Sequence, residues 1–173
     1  MATPVAAPPP PTPDMVTDAL HNQKSFTNKT DIPIVCALYA TFFANVAPSI
    51  VNLNFNEVSW RADDVKTLCQ TISCLPNLRF LDICGNEDAG DPGAIHVASM
   101  LMSNSSIIEI DLRSCGITDE GAKALADALN ENTTCRLNLI GNNVRRALKD
   151  LGYQPSEVGG HYKSRILFWD REW

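Results

Sequence analysis

The 173-residue chain lacks most of what would mark a catalyst. Its three histidines, His21, His96 and His161, stand in no motif with a serine or cysteine, so nucleophilic catalysis has no recognisable base. Glycine is scarce, and Gly85 and Gly90 read as turn residues rather than as a phosphate-binding loop. Positive charge is in deficit: 14 Lys and Arg face 20 Asp and Glu, for a net charge of -6. That balance argues against a general nucleic-acid or anionic-membrane binder. The first residues hold no apolar signal core. The six cysteines (Cys36, Cys69, Cys74, Cys84, Cys115 and Cys135) are therefore read as reduced thiols, and none has the spacing of a familiar zinc motif. No apolar run approaches the ~20 residues needed to cross a bilayer. The most apolar stretch, Ile32 to Pro48, has Pro33 near its start and reads as a core or capping helix. No cofactor, metal, small-molecule substrate or enzymatic activity is expected.

Proline and aromatic residues are concentrated at opposite ends. Residues 1–14 contain Pro4, Pro8, Pro9, Pro10, Pro11 and Pro13 and read as a disordered low-complexity tail. Such a tail serves as a flexible arm, or docks in an SH3-like or profilin-like groove. Residues 152–173 hold Tyr153, Tyr162, Ile166, Leu167, Phe168, Trp169 and Trp173, set off by Gly159-Gly160. Two roles are open for this aromatic tail: folding back as a cap, or inserting into a neighbouring molecule. Residues 15–48 are expected to form an N-terminal helical cap. Met15 to Lys24 makes one short helix there. A second starts at Asp31-Ile32-Pro33, with Asp31 as N-cap, and shows Ile34, Val35, Leu38, Phe42 and Phe43 at helical spacing.

Residues 49–151 repeat themselves. Ile50, Leu53 and Phe55 align with Leu78, Leu81 and Ile83, and with Ile107, Ile110 and Leu112. A turn position follows at Val58, Asn86 and Cys115. Helix positions align as Val65, Leu68, Ile72; Ala94, Val97, Leu101; and Ala122, Leu125, Leu129. A fourth, shortened copy runs through Leu137, Leu139, Asn142 and Val144 into a stunted helix at Arg145 to Leu151. Alternating apolar strand positions and an apolar helix face share one core. Asp91-Pro92 reads as a helix N-cap and first position, and Thr118 as the N-cap of the next helix. Gly93 and Gly121 are placed for close approach to a neighbouring backbone. Asn104 and Asn132 occupy helix ends where a left-handed residue is common, and their glycosylation sequons, with that of Asn28, are read as turn chemistry.

This pattern resembles the leucine-rich repeat family, of the ribonuclease-inhibitor-like type. The resemblance implies an α/β fold: a short solenoid with parallel strands on the concave side and helices on the convex side, three full repeats plus one truncated. A weaker resemblance, to the tropomodulin C-terminal domain, rests on Val51 to Asn56 and on Asn86 through Asp91-Pro92 to Ala98, Met100-Leu101 and Asn104. From the leucine-rich repeat pattern the chain departs at Asp88, which replaces an apolar turn residue, and through one inserted residue within Glu87 to Gly90.

On such a solenoid the residues between the buried strand positions face outward on the concave side. The candidate partner-binding residues there are Asn54, Phe80, Asp82, Glu109, Asp111, Arg113, Arg136 and Asn138, joined by Phe168, Trp169 and Trp173 of the tail. Phe80 is a large apolar residue amid polar neighbours, a plausible anchor. A solvated strand face, or one covered by the chain's own tail, is the competing reading. Paired Asp82 and Asp111 lack the histidine or further ligand that acid–base or cation chemistry asks for. The function expected is a non-enzymatic protein–protein interaction module, an accessory or scaffolding subunit of a multi-subunit complex. The alternatives are a tropomodulin-like actin or cytoskeletal binder and a regulator of an enzyme or GTPase working through Arg113. Partners are other proteins, not nucleic acid, with no transmembrane segment. The location expected is intracellular, the cytoplasm first and an organelle as the alternative.

Overall fold

The computed structural model describes residues 8–22, 32–155 and 165–168. Helices α1 (Pro13–Asn22) and α2 (Ile32–Val46) come first. Then strand and helix alternate: β1 (Asn52–Asn54), α3 (Ala62–Ile72), β2 (Phe80–Asp82), α4 (Gly90–Leu101), β3 (Glu109–Asp111), α5 (Asp119–Glu131), β4 (Arg136–Asn138) and α6 (Arg145–Asp150). A last strand, β5 (Ile166–Leu167), closes the described chain. Among the described residues the sheet is parallel, in the order β1-β2-β3-β4-β5. Each helix returns the chain to the same end of the sheet, as a parallel pairing requires.

The register matches the repeat alignment. Leu53, Leu81, Ile110, Leu137 and Ile166 stand side by side on successive strands. All but the half-buried Leu53 are 0–2% exposed. They meet the inward helix positions Val65, Leu68, Ile72, Val97, Leu101, Leu125 and Leu129 in one continuous core. Each such fully buried aliphatic side chain contributes about 1.5–3 kcal/mol. Cys135 takes the first buried position of the shortened fourth copy, which absorbs its missing residue. The residue inserted in the second copy is taken up by a 3-10 turn, Glu87–Ala89, whose Ala89 is buried.

Two asparagines splice neighbouring repeats. The Asn86 amide donates to the carbonyls of Phe55 (2.9 Å) and Ile83 (2.7 Å), and its oxygen accepts from the Trp60 N–H at 2.9 Å. Asn142 does the same two repeats later. It donates to Leu112 (2.7 Å) and Leu139 (3.1 Å) and accepts from the N–H groups of Cys115 (2.9 Å) and Ile117 (3.0 Å). At Cys115 a buried thiol stands in, donating to the Ile83 carbonyl at 3.2 Å. Burial pushes that thiol, and Cys135, up to about 12, so both remain protonated. All six cysteines are free thiols.

The helix ends differ from the sequence reading in an informative way. Asp91 lies inside α4, with Ala89 as N-cap, and does not cap its own helix. Its carboxylate reaches the next one, accepting from the Thr118 N–H (2.7 Å), the Thr118 hydroxyl (2.5 Å) and the Gly121 N–H (3.0 Å). Thr118 holds the N-cap position of α5, but its hydroxyl is a donor and not the cap. Asp119, one repeat on, likewise accepts from the Ala147 N–H in α6 at 3.1 Å. Packing sets this geometry: a Cβ on Gly121 would stand 2.6 Å from the Asp91 carboxylate and 2.9 Å from the Ala94 Cβ. The close approach expected of Gly121 is thus to the side chains of α4. Asn132 is extended, not left-handed, and Asn104 has no positive φ. Both close turns through their side-chain oxygens instead, Asn104 onto Ser106 and Ile107, Asn132 onto Thr134 and Cys135.

Partial burial pushes the Asp91 carboxyl up, but its hydrogen bonds from Thr118 and Gly121 outweigh this and hold it below the usual carboxylate value. A depressed folded-state pKa adds stability above the unfolded-state value and loses it as pH falls through the folded value. Asp91→Asn is therefore expected to lower the melting temperature at pH 7, with the difference narrowing towards pH 3. Parallel thermal scans at the two pH values check this; a difference independent of pH would rule out the carboxylate as the cap.

The N-terminal region departs furthest from expectation. Residues 8–12, read as part of a disordered tail, lie against α3: buried Thr71 donates to the Pro10 carbonyl at 2.6 Å, and Thr12 is buried. Thr12 accepts from the Met15 N–H at 3.2 Å and starts α1 two residues earlier than expected. Asp31 lies outside the described residues. Within α2 only Ile32 is buried. Contact with the array comes through half-buried Phe43, buried Ala47, and the bond from the Asn77 amide to the Pro48 carbonyl at 2.8 Å. The helix and its 3-10 turn together run for 18 residues, Ile32–Ser49, long and apolar enough to cross a membrane by length and composition. The expectation that this stretch is too short is corrected on that point.

Candidate protein-binding face

The face of the sheet turned away from the helices carries two rows of side chains. Asn52, Phe80, Glu109 and Arg136 form one; Asn54, Asp82, Asp111, Asn138 and Leu167 form the other. The sequence-predicted strand residues thus come together on one surface. Phe80, at 42% exposure, sits between Asn52 and Glu109. An exposed aromatic ring held on a rigid strand offers a partner a large apolar contact at little ordering cost.

The small polar row has a structural task of its own. Asn54 accepts from the Asn56 N–H at 3.1 Å, Asp82 from Cys84 at 3.0 Å, Asp111 from Arg113 at 3.0 Å and Asn138 from Ile140 at 3.3 Å. Each is an Asx turn that ends its strand. The residue after each turn has positive φ, at Glu57, Gly85, Ser114 and Gly141 in successive repeats. Sequence reading found the row but not this role, which the recurrence of Asn or Asp two residues before a turn could have signalled.

Asp82, Cys84 and Asp111 present oxygen and sulfur atoms within 4.8 Å of one another. Those acceptors are engaged, since the Arg113 Nε donates to both Asp111 oxygens at 2.9 and 2.8 Å. Partial burial first, and then the Asp111 charge, push the Cys84 thiol up and keep it protonated. Arg113 is raised by its bond to Asp111 and by that charge, so it stays a paired cation. The salt bridge is half-exposed and contributes no more than about 1 kcal/mol. It fixes the Arg113 side chain on the face.

The tail residues divide. Phe168 is 1% exposed and belongs to the core, so it is not a surface contact; burial of its ring beside β5 is the reason. Trp169 and Trp173 lie outside the described residues. Ile166 and Leu167 pair with Leu137 and Asn138, so this part of the tail covers the open edge of β4. The Arg165 guanidinium donates to the Leu129 and Asn132 carbonyls at the end of α5.

Strand, asparagine turn and outward helix, repeated with a shared core, are the features of a leucine-rich repeat protein. The leucine-rich repeat family model matches residues 103–126, the third copy. Centrosomal protein of 78 kDa from Homo sapiens is 37% identical over 79 residues, 46% of this chain and 11% of that protein. The Xenopus tropicalis protein of the same name is 38% identical over 75 residues, 43% of this chain and 10% of that one. The chain therefore spans about a tenth of the length of the curated relatives it matches. Among solved structures, Leiomodin-1 Actin-Binding Site 2 superposes with a TM-score of 0.52 at 23% identity, over 61% of this chain and 60% of that one. The likeness is one of fold, in line with the weaker tropomodulin-like resemblance.

Proposed function

We propose that this chain is a non-enzymatic protein-interaction module, an accessory or scaffolding subunit, that takes its partner on the sheet face around Phe80. The observation that carries the reading is Phe80 itself: a half-exposed aromatic on a rigid strand, flanked by Asn52 and Glu109, with Asp82 and the paired Asp111–Arg113 further along the same face. An apolar centre with a polar rim is the anatomy of a protein interface. Asn54, Arg136 and Asn138 extend that rim. The similarity to proteins named as centrosomal supports an intracellular place within a cytoskeletal assembly.

Phe80→Asp is expected to leave folding intact, because the side chain is outside the core. It is also expected to weaken partner capture by at least about tenfold, the loss of one anchor residue. Native affinity purification of wild type and variant, followed by mass spectrometry, measures this. Partners retained equally by both would move the interface off this face, and recovery of the wild type as a lone monomer would sink the assembly role. Actin co-sedimentation tests the cytoskeletal alternative separately. An enzyme or GTPase regulator would lose its effect on Arg113→Ala.

A further inference from the structure

Helix α2 carries an apolar face that nothing in the described structure covers. Ile34, Val35, Leu38 and Phe42 are 60%, 40%, 66% and 63% exposed. At helical spacing they spread over about 100° of the helix surface. The exposed positions beside them, Ala37, Thr41, Ala44 and Asn45, are also uncharged. No Asp, Glu, Lys, Arg or His occurs from Ile32 to Asn56. The outward faces of α3, α5 and α6 carry charge, at Asp63 and Lys66, at Glu120, Lys123 and Asp127, and at Arg146 and Lys149; on α4 the exposed positions Pro92, Ile95 and Ser99 are uncharged, but Ile95 is the one large apolar residue among them.

We infer that this face of α2 lies in a lipid surface, with the helix resting along the membrane rather than crossing it. A protein groove would cover the apolar stripe alone and leave a rim in water, where charged residues normally collect. On α2 the rim is as free of charge as the stripe, which suits an apolar medium extending beyond both. Crossing is opposed by the contacts of the helix. Mid-helix, the Tyr39 hydroxyl donates to the Pro11 carbonyl at 2.8 Å, and neighbouring Pro10 is bonded to Thr71 on the repeat array. A spanning α2 would drag that junction into hydrocarbon. Phe43 and Ala47 face the array, which leaves the Ile34–Leu38–Phe42 side for lipid. The net charge of -6 makes the attraction apolar, not electrostatic, so neutral lipid is the fitting surface. The inference is independent of the proposal for the Phe80 face.

The test is flotation of the full chain with neutral phosphatidylcholine vesicles. Wild type is expected to float, and Leu38→Glu/Phe42→Glu to lose at least about tenfold in partitioning. Ile95→Glu, at an apolar site 37% exposed on α4, is expected to float like wild type. Should the double variant aggregate, Leu38→Trp gives a second readout: emission in excess of the wild type's own three tryptophans that shifts blue on vesicles and is quenched by brominated phosphatidylcholine. Wild type that fails to float overturns the inference. So does flotation unchanged in the double variant, or a Leu38→Trp emission indifferent to lipid. A wild-type dimer that the double variant converts to monomer, without flotation, assigns the face to a second copy of the chain.

Discussion

Phe168→Ala is expected to lower the melting temperature by about 6–20 °C. Truncating a fully buried phenylalanine costs about 3–5 kcal/mol, and a domain of this size loses roughly 2–4 °C per kcal/mol. The site does not easily collapse, because the ring is anchored beside a paired strand. The N–H groups of Leu137 and Leu139 donate to the Arg165 and Leu167 carbonyls, both at 2.8 Å. Arg165 meets two carbonyls at the C-terminal end of α5, where a cation and a donor are both favoured. Deleting residues 165–173 should therefore destabilise more than Phe168→Ala, by removing the ring, the edge strand and the Arg165 anchor together. Scanning calorimetry of wild type, Phe168→Ala and the truncation checks this order. A truncation that melts like wild type but no longer captures partners would make the tail a docking peptide instead of a cap.

That tail shows where the sequence is readable and where it is not. The repeat register could be read residue by residue, because strand period, helix period and turn spacing constrain one another. The Leu53–Leu81–Ile110–Leu137 column follows directly from it. Ile166 could not be placed in the same column: two residues of strand carry no periodicity, and the connection to α6 has no fixed length. Asp91-Pro92 misled for a related reason. Aspartate before proline is a local helix-start signal, yet here the carboxylate serves the next helix, about one repeat further along the chain. Local rules see a helix end; only the stacking of repeats shows which one. The Phe80 face was legible through alternation alone, whereas the exposure of α2 was not. Apolar residues at helical spacing read as a buried helix, and no sequence rule says whether another element covers them.

Asn86→Ala is expected to cost about 3–4 kcal/mol, although the side chain lost is small and polar. Asn86 is fully buried, and its amide satisfies three backbone groups, the Trp60 N–H and the Phe55 and Ile83 carbonyls. Alanine removes the Asn86 bond from all three and leaves the Ile83 carbonyl only the weak Cys115 thiol donor; each buried group left under-satisfied costs about 1–3 kcal/mol, less where water can enter. The damage spans two repeats, because Phe55 and Trp60 belong to the first and Ile83 to the second; their mutual ring contact at 4.5 Å holds Phe55 and Trp60 in place. Asn56→Ala, on an exposed turn residue nearby, should fall within about 0.5 kcal/mol of wild type. The third repeat supplies an internal comparison. There Cys115 fills the same position with one weak donor, its thiol bonded to the Ile83 carbonyl. Asn86→Cys should accordingly fall between wild type and Asn86→Ala, since a thiol restores a donor but no strong acceptor for the Trp60 N–H. Urea unfolding of the three variants measures the series. If Asn86→Cys proves no better than alanine, the missing acceptor for Trp60 outweighs the two donor bonds, and the splice between repeats rests on that single N–H.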